Sequence, residues 1–251
     1  MGKVPVYFSL FNKLREVADV ILLDQRGSGL SVPNLICLNE NPSPDIFKSD
    51  KNWLQTFEQV SKRCADEWRV QGVDIAAYNT ESSADDIDDL RKALKVTRVS
   101  LIGHSYGTVL AQSVVRRHPD NIERVVFAST DGSDDLLANA QIWDMLIRKL
   151  SYFAKADTSI NKFVPDFEGM YRKVLERLDK KPVIVSVQNY SSKSNVNISV
   201  GKIGLQWIVR NYMTDARTYA ILPAFIYIIS QGDYSFLQKK LNLFIIALAV
   251  P

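Results

Sequence analysis

The sequence predicts an α/β fold: a parallel sheet crossed by helices, with a helical cap inserted behind it. Three observations predict it. Short apolar runs alternate with amphipathic stretches through the first half of the chain, in the order strand, helix, strand, helix, strand. Alternation of this kind implies right-handed parallel crossovers. Beyond about residue 135 the pattern becomes mostly helical, and a Gly-x-Ser-x-Gly string joins a strand end to a helix start at residues 103–107.

The elements follow in order. Asp19–Asp24 is an apolar run that stops at Gln25-Arg26-Gly27-Ser28-Gly29, as a fully buried strand entering a Gly-rich turn does. Ser31–Asp50 carries Pro33, Pro42 and Pro44 and is a loop. Trp53–Val70 places Trp53, Phe57, Val60, Cys64 and Trp68 near one helical face. Ser83-Ala84-Asp85-Asp86 resembles a capping box, and Ile87, Leu90 and Leu94 carry a helix from there to about Lys95. Arg98–Gly103 is a second buried strand, Tyr106–His118 a helix ended by Pro119, and Arg124–Ser129 a third strand. In the remainder, Leu136–Phe153, Glu168–Leu178 and Lys202–Met213 have helical spacing, while Pro182–Gln188 and Asn195–Val200 flank a Ser/Asn-rich turn as a hairpin does.

Composition narrows the function classes. The chain has 251 residues, 46% hydrophobic and 24% charged, which is globular and excludes a coiled coil, a collagen-like fibre or a disordered tail. A net charge of +3, scattered along the chain, gives no electrostatic case for nucleic acid or an anionic lipid surface. No run reaches the roughly 20 apolar residues that span a bilayer. Tyr219–Ser230, broken by Pro223, and Leu241–Pro251 read as buried elements. Met1–Phe8 has one positive charge and no small-residue cleavage site, so it is a poor signal peptide. No nucleotide loop, cofactor motif or metal-ligand cluster is present. Cys37 and Cys64 are either two separate thiols or one disulfide closing a loop of 27 residues.

The chemistry lies in Gly103-His104-Ser105-Tyr106-Gly107. A serine on a sharp strand-to-helix turn projects its hydroxyl above the strand's carboxyl end, provided its neighbours lack bulk. Ser105 is then the nucleophile, and the backbone N–H of Tyr106 is one oxyanion donor. A serine hydroxyl is weak until a base takes its proton. The sequence holds only two histidines. His104 is adjacent to Ser105, where the turn sends side chains apart. His118 ends the helix about 20 Å away at 1.5 Å per residue and complements its dipole. Asp131 and Asp233 are the carboxylates available as an acid, each also suited to capping a loop or helix. Chemistry of the haloalkane or epoxide kind is disfavoured, because it needs a carboxylate where Ser105 sits.

These motifs resemble a known family. Asp24-Gln25-Arg26-Gly27-Ser28-Gly29-Leu30-Ser31 resembles the strand-end loop of proline iminopeptidase-like α/β-hydrolases. Gly72-Val73-Asp74, Ala77-Tyr78-Asn79-Thr80, Gly103–Thr108 and Arg116-Arg117-His118-Pro119 are similar to the tripeptidyl-aminopeptidase branch. Leu205-Gln206-Trp207 and Gly232-Asp233-Tyr234 are more loosely similar. The resemblance implies an eight-stranded α/β-hydrolase core with a cap after the sixth strand. It further implies Ser105 as nucleophile, a disulfide between Cys37 and Cys64, export of the protein, and a peptide or small ester substrate without a cofactor. The chain departs from the family at both ends. Met1–Ala18 holds only Gly2 in place of a Gly-rich oxyanion loop, and no histidine follows His118. It therefore reads as a partial α/β-hydrolase sheet, truncated at both ends: residues 1–135 core, 136–240 cap, 241–251 the return to the core. Its function is that of a serine hydrolase cleaving peptide or ester bonds, or, without a base, of an inactive ligand-binding relative.

Overall fold

A computed structural model describes residues 4–37, 43–132, 140–188, 194–239 and 241. The chain divides into two compact units, residues 1–36 with 65–137 and residues 37–64 with 138–251.

The first unit begins with helix α1 (Val4–Leu14) and takes in the last turns of a long helix, α2 (Asp50–Val70). Next comes α3 (Thr80–Ala93), which starts three residues before the serine that the sequence offers as its first turn. The cap is Asn79, whose side chain accepts the Ser82 N–H at 2.8 Å, while Ser83 is turned inward and donates to the Asn79 carbonyl. Asn outcompetes Ser because it sits two residues after the 3-10 turn Ile75–Ala77, where the backbone is already extended. Strand β1 (Val99–His104), helix α4 (Tyr106–Arg117) and strand β2 (Ile122–Ala128) complete a crossover unit of the expected order, with β1 and β2 parallel and His104 opposite Ala128.

Two expectations are corrected in this unit. Asp19–Asp24 forms no strand, and Ile21, Leu22 and Leu23 are about half exposed. An apolar run becomes a strand only through hydrogen bonds to a neighbour, and among the described residues β1 pairs with β2 alone. The pair is also covered on one face rather than two. Val99, Leu101 and Gly103 are the more buried positions of β1, whereas Ile102 and Val126 are 51% and 55% exposed.

The second unit is a helical body around one hairpin. It contains α5 (Ala140–Ala156), α6 (Thr158–Asn161), α7 (Phe167–Lys180), β3 (Val183–Gln188), β4 (Asn195–Val200), α8 (Lys202–Met213), α9 (Ala216–Tyr219) and α10 (Leu222–Ser230). β3 and β4 pair antiparallel from Val183 opposite Val200 to Gln188 opposite Asn195. Phe167, Leu178, Leu205, Leu222, Phe225 and Ile226 are fully buried at its centre. Of the run from Leu241 to Pro251 only Leu241, fully buried, lies within the described residues.

The described part of the Pro-rich stretch just before α2, residues 43–49, forms no helix or strand but is anchored in this core. Phe47 is buried between Trp53 and Trp207, with ring centroids 5.6 and 5.8 Å away. The N–H groups of Ser199 and Gly201 donate to the carbonyls of Pro44 and Phe47 at 2.9 Å. Cys37 and Cys64 bracket the segment and are bonded to each other, their Cα atoms 6.0 Å apart.

Candidate active site

β1 delivers the site. Its pairing with β2 runs one residue past the strand end, since the Ser105 N–H donates to the Ala128 carbonyl at 3.0 Å. The chain then reverses at Ser105, which adopts φ 54° and ψ −128°, and α4 begins at Tyr106. A side-chain-bearing residue in this region costs about 1–3 kcal/mol and persists only where its surroundings enforce it. Gly103 is one enforcing contact, because a Cβ there would lie 2.4 Å from the Gly107 carbonyl oxygen. Gly107 itself has open space where its Cβ would project, so only the first glycine of the motif is sterically required. Tyr106 fixes the turn from outside through a 2.8 Å hydrogen bond between its hydroxyl and that of Thr80. Its backbone N–H belongs to the first turn of α4, where helix donors face outward and the dipole favours negative charge.

Asp131 is the carboxylate brought to the serine. Ser105 Oγ donates to Asp131 Oδ2 at 3.4 Å. The approach depends on Ser129, which takes φ 53° just past β2 and turns the chain back over α4. Buried Thr108 joins the two segments: its hydroxyl donates to the Ser105 carbonyl at 2.8 Å and accepts the Asp131 N–H at 3.0 Å. Gln112, one turn further along α4, donates to the Asp131 carbonyl at 2.9 Å. Residues 105, 108 and 112 share a helical face, a spacing visible in the sequence but not singled out there.

The other candidates lie elsewhere. The His104 ring faces Tyr7 of α1, with centroids 5.6 Å apart. His118 caps the C-terminus of α4, and its Nε2 is 2.8 Å from Asp85 Oδ1. Arg117 forks onto both oxygens of the same carboxylate at 2.8 and 2.7 Å. The Arg117 bonds, then the His118 bond, pull the Asp85 carboxyl down to about 2. Asp88 is held low by Arg91 and Lys92 and also accepts from Asn121 at 2.7 Å. Asp233 belongs to the second unit, where it accepts the Ser235 N–H at 2.8 Å.

The loop Asp24–Ser31 is a structural knot. Asp24 accepts the Leu30 N–H at 3.0 Å, which keeps its carboxyl low, and Arg26 forks onto Asp86 at 2.7 and 2.6 Å while donating to the Ala77 carbonyl. The Arg26–Asp86 pair, not evident from either motif alone, links that loop to α3.

A strand, a serine at positive φ and a helix start, with the neighbouring strand's end folded beside them, make the strand–turn–helix corner characteristic of the α/β-hydrolase class. The chain belongs to the alpha/beta hydrolase fold family, whose model matches residues 2–233. It is also similar to YuaR of Escherichia coli (strain K12), a protein named as a hydrolase, at 30% identity over 127 residues. That stretch is 50% of this chain, and the chain spans about a quarter (24%) of YuaR's length. No helix among the described residues is long and apolar enough to cross a membrane.

Proposed function

We propose that the protein acts as a serine hydrolase, with Ser105 attacking a peptide or ester carbonyl to form an acyl-enzyme. The carrying observation is the backbone of Ser105, held at φ 54° between β1 and α4 at the expense of local strain. Tyr106 supplies an oxyanion donor at the start of α4. Residues 1–135 are the hydrolase core in this reading, 136–240 are the inserted cap, and 241–251 lead back toward the core. The Asp24–Ser31 loop and the elbow favour an aminopeptidase-like activity of the proline iminopeptidase branch. The bonded Cys37–Cys64 pair supports an oxidising compartment and hence export. In the triad mechanism a histidine takes the Ser105 proton and returns it to the leaving group.

A second reading has its own support: this is a ligand-binding relative without catalysis. The ring of His104 is against Tyr7, and His118 is bonded to Asp85, so each has a structural role away from Ser105.

Labelling of the purified protein with a fluorophosphonate separates the two. Under the hydrolase reading Ser105 is modified and Ser105→Ala abolishes the label. An unlabelled but folded wild-type protein supports the binding reading.

A further inference from the structure

We infer that Asp131 is a positioning residue for the nucleophile, acting by accepting the hydrogen bond of the Ser105 hydroxyl; this rests on the hydrolase reading of Ser105. Three observations carry it. The carboxylate oxygen Oδ2 is 3.4 Å from Ser105 Oγ, a long contact of the kind that catalytic hydrogen bonds often show before substrate binds. Among the described residues the segment bearing Asp131 is held through its backbone: its N–H by Thr108 and its carbonyl by Gln112. The carboxylate is therefore not consumed in holding the loop. Finally, Thr108 bonds the Ser105 carbonyl and the Asp131 N–H with one hydroxyl, so nucleophile and carboxylate are registered to each other by a single buried side chain.

The distance also decides what kind of residue Asp131 is. In a relay, an imidazole lies between the acid and the serine. Two hydrogen bonds of about 2.8 Å in series already exceed 3.4 Å before the ring's own width is added. In this arrangement Asp131 contacts the serine directly and is not the orienting acid of a histidine. A hydroxyl donates one hydrogen bond. Directing it to a carboxylate holds Oγ in one side-chain rotamer at rest; as Oγ attacks, the O–H turns to the base of the triad mechanism, so Asp131 sets where the oxygen lies and takes no proton.

The test is the second-order rate of fluorophosphonate labelling of Ser105 in the full chain, for wild type, Asp131→Asn and Asp131→Ala, together with α4 amide exchange. Asp131→Ala is expected to slow labelling by about 10-fold or more. Asp131→Asn, which keeps an acceptor without charge, is expected to recover part of that loss. Both variants keep α4 protection within about twofold, because the bonds that hold the loop are made by backbone atoms. Thr108→Val, by contrast, is expected to lower labelling and protection together. Wild-type rates in Asp131→Ala would overturn the assignment while leaving Ser105 as the nucleophile. Loss of α4 protection in proportion to labelling would overturn it in favour of a structural role. Failure of the folded wild type to label would overturn it together with the hydrolase reading.

Discussion

The two glycines of the elbow motif should respond to alanine with opposite signs. At Gly103 an added Cβ meets backbone atoms that cannot rotate away: the Gly107 oxygen at 2.4 Å, the Gly107 carbonyl carbon at 2.7 Å and the Thr108 nitrogen at 2.9 Å. The first turn of α4 must then move off β1, an overpacking cost of about 2 kcal/mol. At Gly107 nothing lies within 4 Å of the new Cβ and the residue is helical. Alanine there gains helix propensity, about 0.5 kcal/mol so near the helix end. The chain has two units, so one melting curve would mix two transitions. Amide exchange at the buried α4 residues Val109, Ala111 and Val114 reports on the correct unit. At 1.4 kcal/mol per factor of ten, Gly103→Ala should speed that exchange about 30-fold and Gly107→Ala should slow it about twofold. Equal acceleration by the two substitutions would refute the argument, since it would mean that both positions need the absence of a Cβ.

Other consequences follow from the same geometry. Ser105→Gly should stabilise the first unit by about 1 kcal/mol, because glycine accepts a positive φ without strain; α4 exchange slowed about fivefold would confirm it, and acceleration would contradict it. Replacing both cysteines in Cys37→Ser/Cys64→Ser should cost about 3.5 kcal/mol in the loop-entropy model for a separation of 27 residues. It should also abolish any effect of reductant on urea unfolding of the second unit. Asp85 has a folded pKa of about 2, below its ordinary 3.8. Its contribution is therefore complete above about pH 4 and lost as pH falls toward 2. Stability measured over that window should fall less steeply in Asp85→Asn, and the difference between the proteins should shrink in high salt.

The parts of the fold that are local in sequence were legible. β1, the turn at Ser105, α4, the β3–β4 hairpin and α8 are each set by periodicity and turn residues within about a dozen positions. Asp19–Asp24 was not legible as a segment outside any strand, because whether an apolar run becomes a strand depends on a partner remote in sequence. The anchoring role of Phe47 was hidden for a similar reason. A Pro-rich stretch reads as loop, and nothing nearby signals that one aromatic in it enters a distant core between Trp53 and Trp207. At the site, Ser105 and Tyr106 came from the motif. Asp131 was recognisable as a carboxylate after a strand, but its arrival at the serine depends on the left-handed turn at Ser129 and on Thr108, neither of which has a sequence signature of its own.

The strained serine also explains why so much of the first unit's polar bonding converges on α4. Its N-terminal end is fixed by Ser105 N–H to Ala128 and by Tyr106 to Thr80. Its C-terminal end is fixed by Arg117 and His118 to Asp85, and the turn beyond it by Asn121 to Asp88. Thr80, Asp85 and Asp88 all lie on α3, so one helix grips both ends of the other. Most of the gripping pairs are partly exposed, and each alone is worth little. Acting together they remove the simplest relaxation open to the elbow, a slide or tilt of α4 that would let Ser105 return to an ordinary backbone conformation. His118 contributes to that grip, which is a physical reason for a histidine at position 118 independent of proton transfer.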